Sequence, residues 1–172
     1  MNKRLIVVAG IAVVGAVACL GWHLVSPLFI SNRVVEALPA GLTASAPSGA
    51  AAPQPGNTSG PAKRGNLRDA DGFHKGSGGA VVFRLADGKR LLRLESIDVT
   101  NGPDLHVYLS AHPDPRSRED VHQPGYADLG KLKANQGSQN YDIPGEVDLN
   151  AIRSVVIYCQ PFHVVFSAAT LE

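Results

Sequence analysis

Cysteine is the first shortage. The chain of 172 residues has two, Cys19 and Cys159, far apart in sequence. A disulfide-stapled scaffold is therefore excluded. Charge of one sign is also missing. The net charge is +1, which gives no electrostatic footprint for nucleic acid. Residues 70–172 hold ten Lys/Arg and thirteen Asp/Glu, so that part is mildly acidic at −3, and the basic excess lies before it. Helical periodicity is absent from the second half of the chain. No "GK[ST]" follows the Gly-rich stretch "GFHKGSGGAVVF", which leads into a strand rather than a helix, so a phosphate loop is excluded. No serine has a nucleophile-elbow context, and the histidine spacings match no standard zinc signature.

One long hydrophobic run is present. "MNKR" precedes residues 5–30, "LIVVAGIAVVGAVACLGWHLVSPLFI", 26 residues without Lys, Arg, Asp or Glu. As a helix this would span about 39 Å, more than the ~30 Å hydrocarbon core of a bilayer. Lys3 and Arg4 place the N-terminus in the cytoplasm, and Trp22 and His23 suit the far interface. The sequence thus predicts a single-pass cell-membrane anchor over residues 1–30, in contact with lipid through residues 5–30. The rest of the chain would lie outside the cytoplasm. A cleavable signal peptide would have a shorter apolar core, and here the run continues past "AVA". A lipoprotein reading would acylate Cys19 in "AVAC". The same continuation speaks against it, as does the missing Leu. Cys19 then reads as a small apolar residue within the span.

Residues 31–69 are expected to form a flexible linker. Most of it is Pro, Ala, Gly and Ser, with too little bulk to offset ordering entropy. "NTS" at 57–59 fits a glycosylation acceptor. Residues 70–172 read as the folded domain. Val81, Phe83 and Leu85 alternate with Val82, Arg84 and Ala86, and "DG" at 87–88 turns the chain. In "LHVYLSA", Leu105, Val107 and Leu109 share one face, and His106, Tyr108 and Ser110 share the other. "HPDPRSREDVHQPG" is a polar loop. "ADLGKLKA", "GSQNYDIPGEV", "SVVIYC" and "HVVFSAATL" complete about seven short strands. The fold class is all-β, a small antiparallel sandwich or barrel.

The chemistry-bearing candidates are few. Cys159 ends an apolar strand in an oxidising compartment and has no partner in its domain. It is a buried small hydrophobe, half of an intermolecular disulfide, or a redox or ligand thiol. His163 follows four residues later across "CQPFH". Its sharing a face with Cys159 depends on turn type and register. It is an ordinary rim residue or a second ligand. His106, His112 and His122 read as solvated. His74 precedes the Gly-rich turn.

"GFHKGSGGAVVFRLADGKRLLRLESIDVTNGPDLHVYLS", "DLGKLKANQGSQNYDIP" and "SVVIYCQPFHVVFSAATL", in this order, closely resemble the electron-transfer DM-thirteen domain of the Skeletor type. The resemblance covers about residues 71–171. It implies a β-sandwich related to the DOMON domains, which bind haem or sugars. It implies electron transfer through a near-invariant cysteine, which maps onto Cys159, as a bare thiol or a cofactor ligand. The family's His-Gly opening maps onto His74 and Gly76–Gly79. The implied site is therefore Cys159, with His163 and His74 as further cofactor-binding candidates. The cofactor is left open between haem, a metal ion and none. A redox partner protein is implied as well. The rival reading is a non-catalytic cell-surface binding or adhesion module in which Cys159 is structural.

Overall fold

The computed structural model describes residues 13–15, 31–39, 42 and 60–172. Ten strands form two five-stranded sheets. They are β1 (Arg33–Val35), β2 (Gly60–Asn66), β3 (Arg68–Asp69), β4 (Gly76–Arg84), β5 (Arg90–Val99), β6 (Leu105–Ser110), β7 (Tyr126–Lys131), β8 (Gln136–Asp142), β9 (Ser154–Cys159) and β10 (Val164–Thr170). The first sheet has the order β1-β8-β5-β4-β2, and the second has β3-β10-β9-β6-β7. All neighbours are antiparallel except β1 and β8. The all-β expectation holds.

The main core lies between the sheets. Ala80, Val82, Leu92 and Leu94 of the first sheet meet Leu105, Val107, Leu109, Val155, Ile157 and Cys159 of the second. The two-residue alternation of β4, β5, β6 and β9 delivers these side chains to one side, and in β4 it is Ala80 and Val82, not Val81 and Phe83, that face this core. The opposite side of β4–β5 is apolar too. Val81, Phe83 and Leu91 form a smaller cluster covered by Leu38 and Leu42. The chain before the domain thus shields an apolar patch that water would otherwise meet.

The linker expectation needs correction here. Arg33–Val35, Gly60–Asn66 and Arg68–Asp69 are sheet strands, not tether. Leu67 joins the core as the chain crosses from one sheet to the other. Backbone pairing to an open sheet edge needs no apolar side chains, so composition did not announce it. A short helix, α1 (Arg118–His122), also interrupts the expected polar loop. Ser117 caps it, with the Asp120 side chain bonding back to the Ser117 backbone. Among the described residues no helix is long and apolar enough to cross a membrane. The expected span over 5–30 falls outside the described residues, except for helical residues 13–15. The "NTS" triplet falls outside them altogether.

Candidate functional site

Strand β9 is buried along its whole length. Val155, Ile157 and Cys159 point into the main core, and Val156 and Tyr158 point to the outer side of the sheet. Cys159 sits between Leu105 of β6 and Val164 of β10 in the ladder. It is fully buried. Its Sγ lies 3.1 Å from the carbonyl oxygen of Pro103 and donates to it. Burial pushes the thiol above its ordinary pKa. The backbone N–H of Phe162 pulls it down, and the charge of Asp104 adds to the rise. At neutral pH this is a neutral thiol rather than a thiolate.

Two turns close over it. One is the β5–β6 connection through Thr100–Asp104, and the other is Gln160–His163. They are joined by the Gln160 N–H bond to the Asp104 carbonyl, at 3.3 Å. Asp104 and His163 both have positive φ, 48° and 56°. Ser96, in β5, is the third such non-glycine among the described residues. Asp and His tolerate this region better than most residues, and its cost is repaid by the surrounding structure. Pro103 and Asp104 are exposed, so Cys159 lies one layer beneath the surface.

The structure does not bring the three implied residues together around the sulfur. His163 is exposed, and its ring is 6.4 Å from that of Tyr158, on the outer side of the sheet. The four-residue turn sends it away from the core side that Cys159 occupies. His74 lies at the same end but is engaged elsewhere. Its Nδ1 is 2.7 Å from Asp71 Oδ2, and its ring packs on Phe166 at 4.3 Å. Phe166 in turn lies against Gly102, where a Cβ would stand 2.6 Å from the ring, so the turn can lie this close only with glycine. His74 thus braces the turn over Cys159 through Phe166 and Gly102. The His74 side chain and the backbone N–H groups of His74 and Phe73 hold the Asp71 carboxyl down at about 2. Gly76 opens β4 with its Cα against the Ser167 side chain.

A haem or metal site does not fit these residues. The sulfur keeps its proton and donates it in a hydrogen bond to the Pro103 carbonyl, and its ladder neighbours are Leu105 and Val164. Among the described residues no group of three His, Cys, Asp or Glu side chains could hold a metal ion.

The outer side of the same sheet carries an aromatic cluster that the sequence reading left as solvent face. Tyr108 is buried and stacks on Tyr158 at 5.2 Å and on Tyr126 at 5.0 Å. His122 of α1 lies 4.4 Å from Tyr126. Gln160 Nε2 donates to Tyr108 Oη at 2.8 Å and to Asp128 at 3.1 Å, and Asp128 also holds His106 at 2.9 Å. The Tyr158 hydroxyl is buried without a partner. The alternation placed Tyr108 and His106 on one face. Only α1, which covers that face, would have marked it as buried.

The sequence profile described as Electron transfer DM13 matches residues 69–171. The chain belongs to this family. The match spans both sheets from β3 to the end of β10 and includes Cys159 and the two covering turns. Neither the comparison with curated proteins nor that with solved structures returns a match.

Proposed function

We propose that this DM13 domain is the extracytoplasmic part of a membrane-anchored electron-transfer protein, and that the bare thiol of Cys159 is its redox group. The observation that carries the reading is the setting of the sulfur. It lies buried one layer deep, held by the Pro103 carbonyl, under two turns that each contain a non-glycine residue at positive φ. A lone thiol outside the cytoplasm would be oxidised or cross-linked if it were exposed. Sealing it as a neutral thiol keeps it reduced until the turns part.

In the closed state the S–H donates to the Pro103 carbonyl, which accepts a hydrogen bond but is not a base. In the open state the sulfur meets water and its pKa falls back to the ordinary thiol range. A one-electron oxidised centre of a redox partner protein then takes one electron. The S–H bond breaks, the proton passes to water, and a thiyl radical remains on Cys159. The reverse step restores the thiol.

Alkylation of the full chain tests this gating. The native thiol should react slowly at pH 8. Pro103→Gly should speed the reaction by roughly fivefold, for ~1 kcal/mol of loosened turn, at a temperature where the melting curves show both proteins fully folded. A rate that rises only with global unfolding contradicts the gate. It would favour the second reading, a binding module with a structural cysteine, for which the complete burial of Cys159 speaks.

A further inference from the structure

We propose that the end of the sandwich carrying Cys159 lies against the outer surface of the bilayer, with Phe73 and Phe162 in the headgroup region. This rests on reading residues 5–30 as a membrane anchor. It does not rest on the redox role.

The first observation is how soon the chain docks after the apolar segment. That segment ends at Ile30. The Asn32 N–H already donates to Asn135 Oδ1 at 2.8 Å, and its carbonyl accepts from Gln136 N–H at 3.1 Å. Strand β1 then pairs in parallel with the edge of β8, from Arg33 opposite Gln136 to Val35 opposite Ser138. Glu36 fixes the other end, with its carboxylate 2.7 Å from Lys133 Nζ and 2.6 Å from the Asn140 N–H. The backbones approach so closely at Gly137, φ 103°, that a Cβ there would stand 1.9 Å from the Val34 carbonyl oxygen. With Trp22 and His23 at the interface, residues 24–31 are all that separates it from this clamp, about 29 Å at full stretch. Leu24, Val25, Leu28, Phe29 and Ile30 among them favour the interface over water, so the domain is held close to the membrane.

The second observation is which end this is. Strands β1, β4, β6, β8 and β10 begin there, and β3, β5, β7 and β9 finish there. Ser31, Asn135, Lys75 and Asn101 line one cleft of about 510 Å³ at this end. The turns at this end are Asp71–Lys75, Thr100–Asp104 and Gln160–His163, the last two being those over Cys159.

The third observation is what those turns expose. Phe73 is 87% exposed and Phe162 is 69% exposed. They are the exposed phenylalanines of the described residues, and both lie at the end from which the apolar segment leaves. Bare rings on turn tips gain nothing in water but suit the interfacial zone of a bilayer. The carboxylates at this end are engaged within the domain: Asp69 and Asp104 pair with Lys75 and Lys131, Asp71 holds His74, and Asp98 accepts from Gln136. In this pose the turns over Cys159 open toward the lipid surface, so an electron partner would have to meet the thiol there.

The test uses the full chain in phosphatidylcholine vesicles whose acyl chains are brominated near the headgroup. In a Trp22→Phe background, single tryptophans are placed by Phe73→Trp, by Phe162→Trp, and by Lys89→Trp on the hairpin at the opposite end. The first two should lose emission to bromine, and the third should not. Inserting a Gly/Ser spacer of about ten residues between Ile30 and Ser31 should abolish that loss while leaving β1 docked. Protein that floats with the vesicles but shows no quenching, or equal quenching at position 89, overturns the pose. Protein that fails to float overturns the pose and the anchor together, and leaves the redox reading standing.

Discussion

Tyr158 and Cys159 are adjacent in the chain and belong to different environments. Cys159 faces the inner side of its sheet, among Leu105, Val107, Ile157 and Phe166. Tyr158 faces the outer side, among Tyr108, Val121, Val165 and the rings of His122 and His163. Both sides are buried at β9, but for different reasons. The inner side is closed by a second sheet, and its side chains interlock. The outer side is closed by one turn of helix and a few polar bonds, and it retains a hydroxyl without a partner. The first arrangement makes a rigid, dry setting for a thiol. The second leaves room for rearrangement. Burial alone therefore does not distinguish a core from a cover.

The largest expected difference between the two sides lies in stability. Ile157→Ala, on the inner side, should cost about 2–5 kcal/mol in denaturant unfolding of the full chain, because the second sheet cannot collapse into the void. Val156→Ala, on the outer side, should cost clearly less, because α1 can settle inward. Equal losses would erase the distinction.

Alkali should find the next difference. Burial, aided by the charges of Asp128 and Tyr126, pushes Tyr108 up to about 12, and burial does the same to Tyr141. A group raised in the folded state contributes stability that is intact below its unfolded pKa of 10.0 and is lost as pH rises through its folded value. Stability should thus hold to about pH 10 and fall between about 10 and 12. Tyr108→Phe should flatten part of that fall, as followed by melts across the range. A profile unchanged by Tyr108→Phe contradicts the assignment.

The smallest effects concern hydroxyls on the outer side. Tyr108→Phe removes the acceptor for Gln160 and should cost about 1 kcal/mol at neutral pH. Tyr158→Phe removes a buried hydroxyl that has no partner and should leave stability unchanged or raise it by up to ~1 kcal/mol. A loss at Tyr158→Phe as large as that at Tyr108→Phe would show that the Tyr158 hydroxyl is bonded after all.

Much of the inner side was legible in the sequence. Alternation in "LHVYLS" placed Leu105, Val107 and Leu109 on one face, where the structure has them. The "DG" turn separated β4 from β5 as read. The outer side was less legible. Its cover, Arg118–His122, is too short to show a helical period, and only the Ser117–Asp120 cap betrays it. Strands β1 and β2 were hidden for a different reason: they join the sheets through backbone bonds, and "RVV" and "GPAKRGN" carry no alternation to read. The relation of Cys159 to His163 was not legible at all. It turns on a backbone at φ 56°, which residue types alone do not dictate.

The account stands on Cys159 as the electron-carrying group, and electrochemistry of the full chain in a supported bilayer tests this most directly. The native protein and Cys159→Ala are compared after equal melting curves show that both are folded. The account predicts a one-electron wave in the native protein, shifting with pH by about 59 mV per unit because one proton leaves with the electron. It predicts no such wave in Cys159→Ala. The same wave in both proteins, or none in the native one, contradicts it.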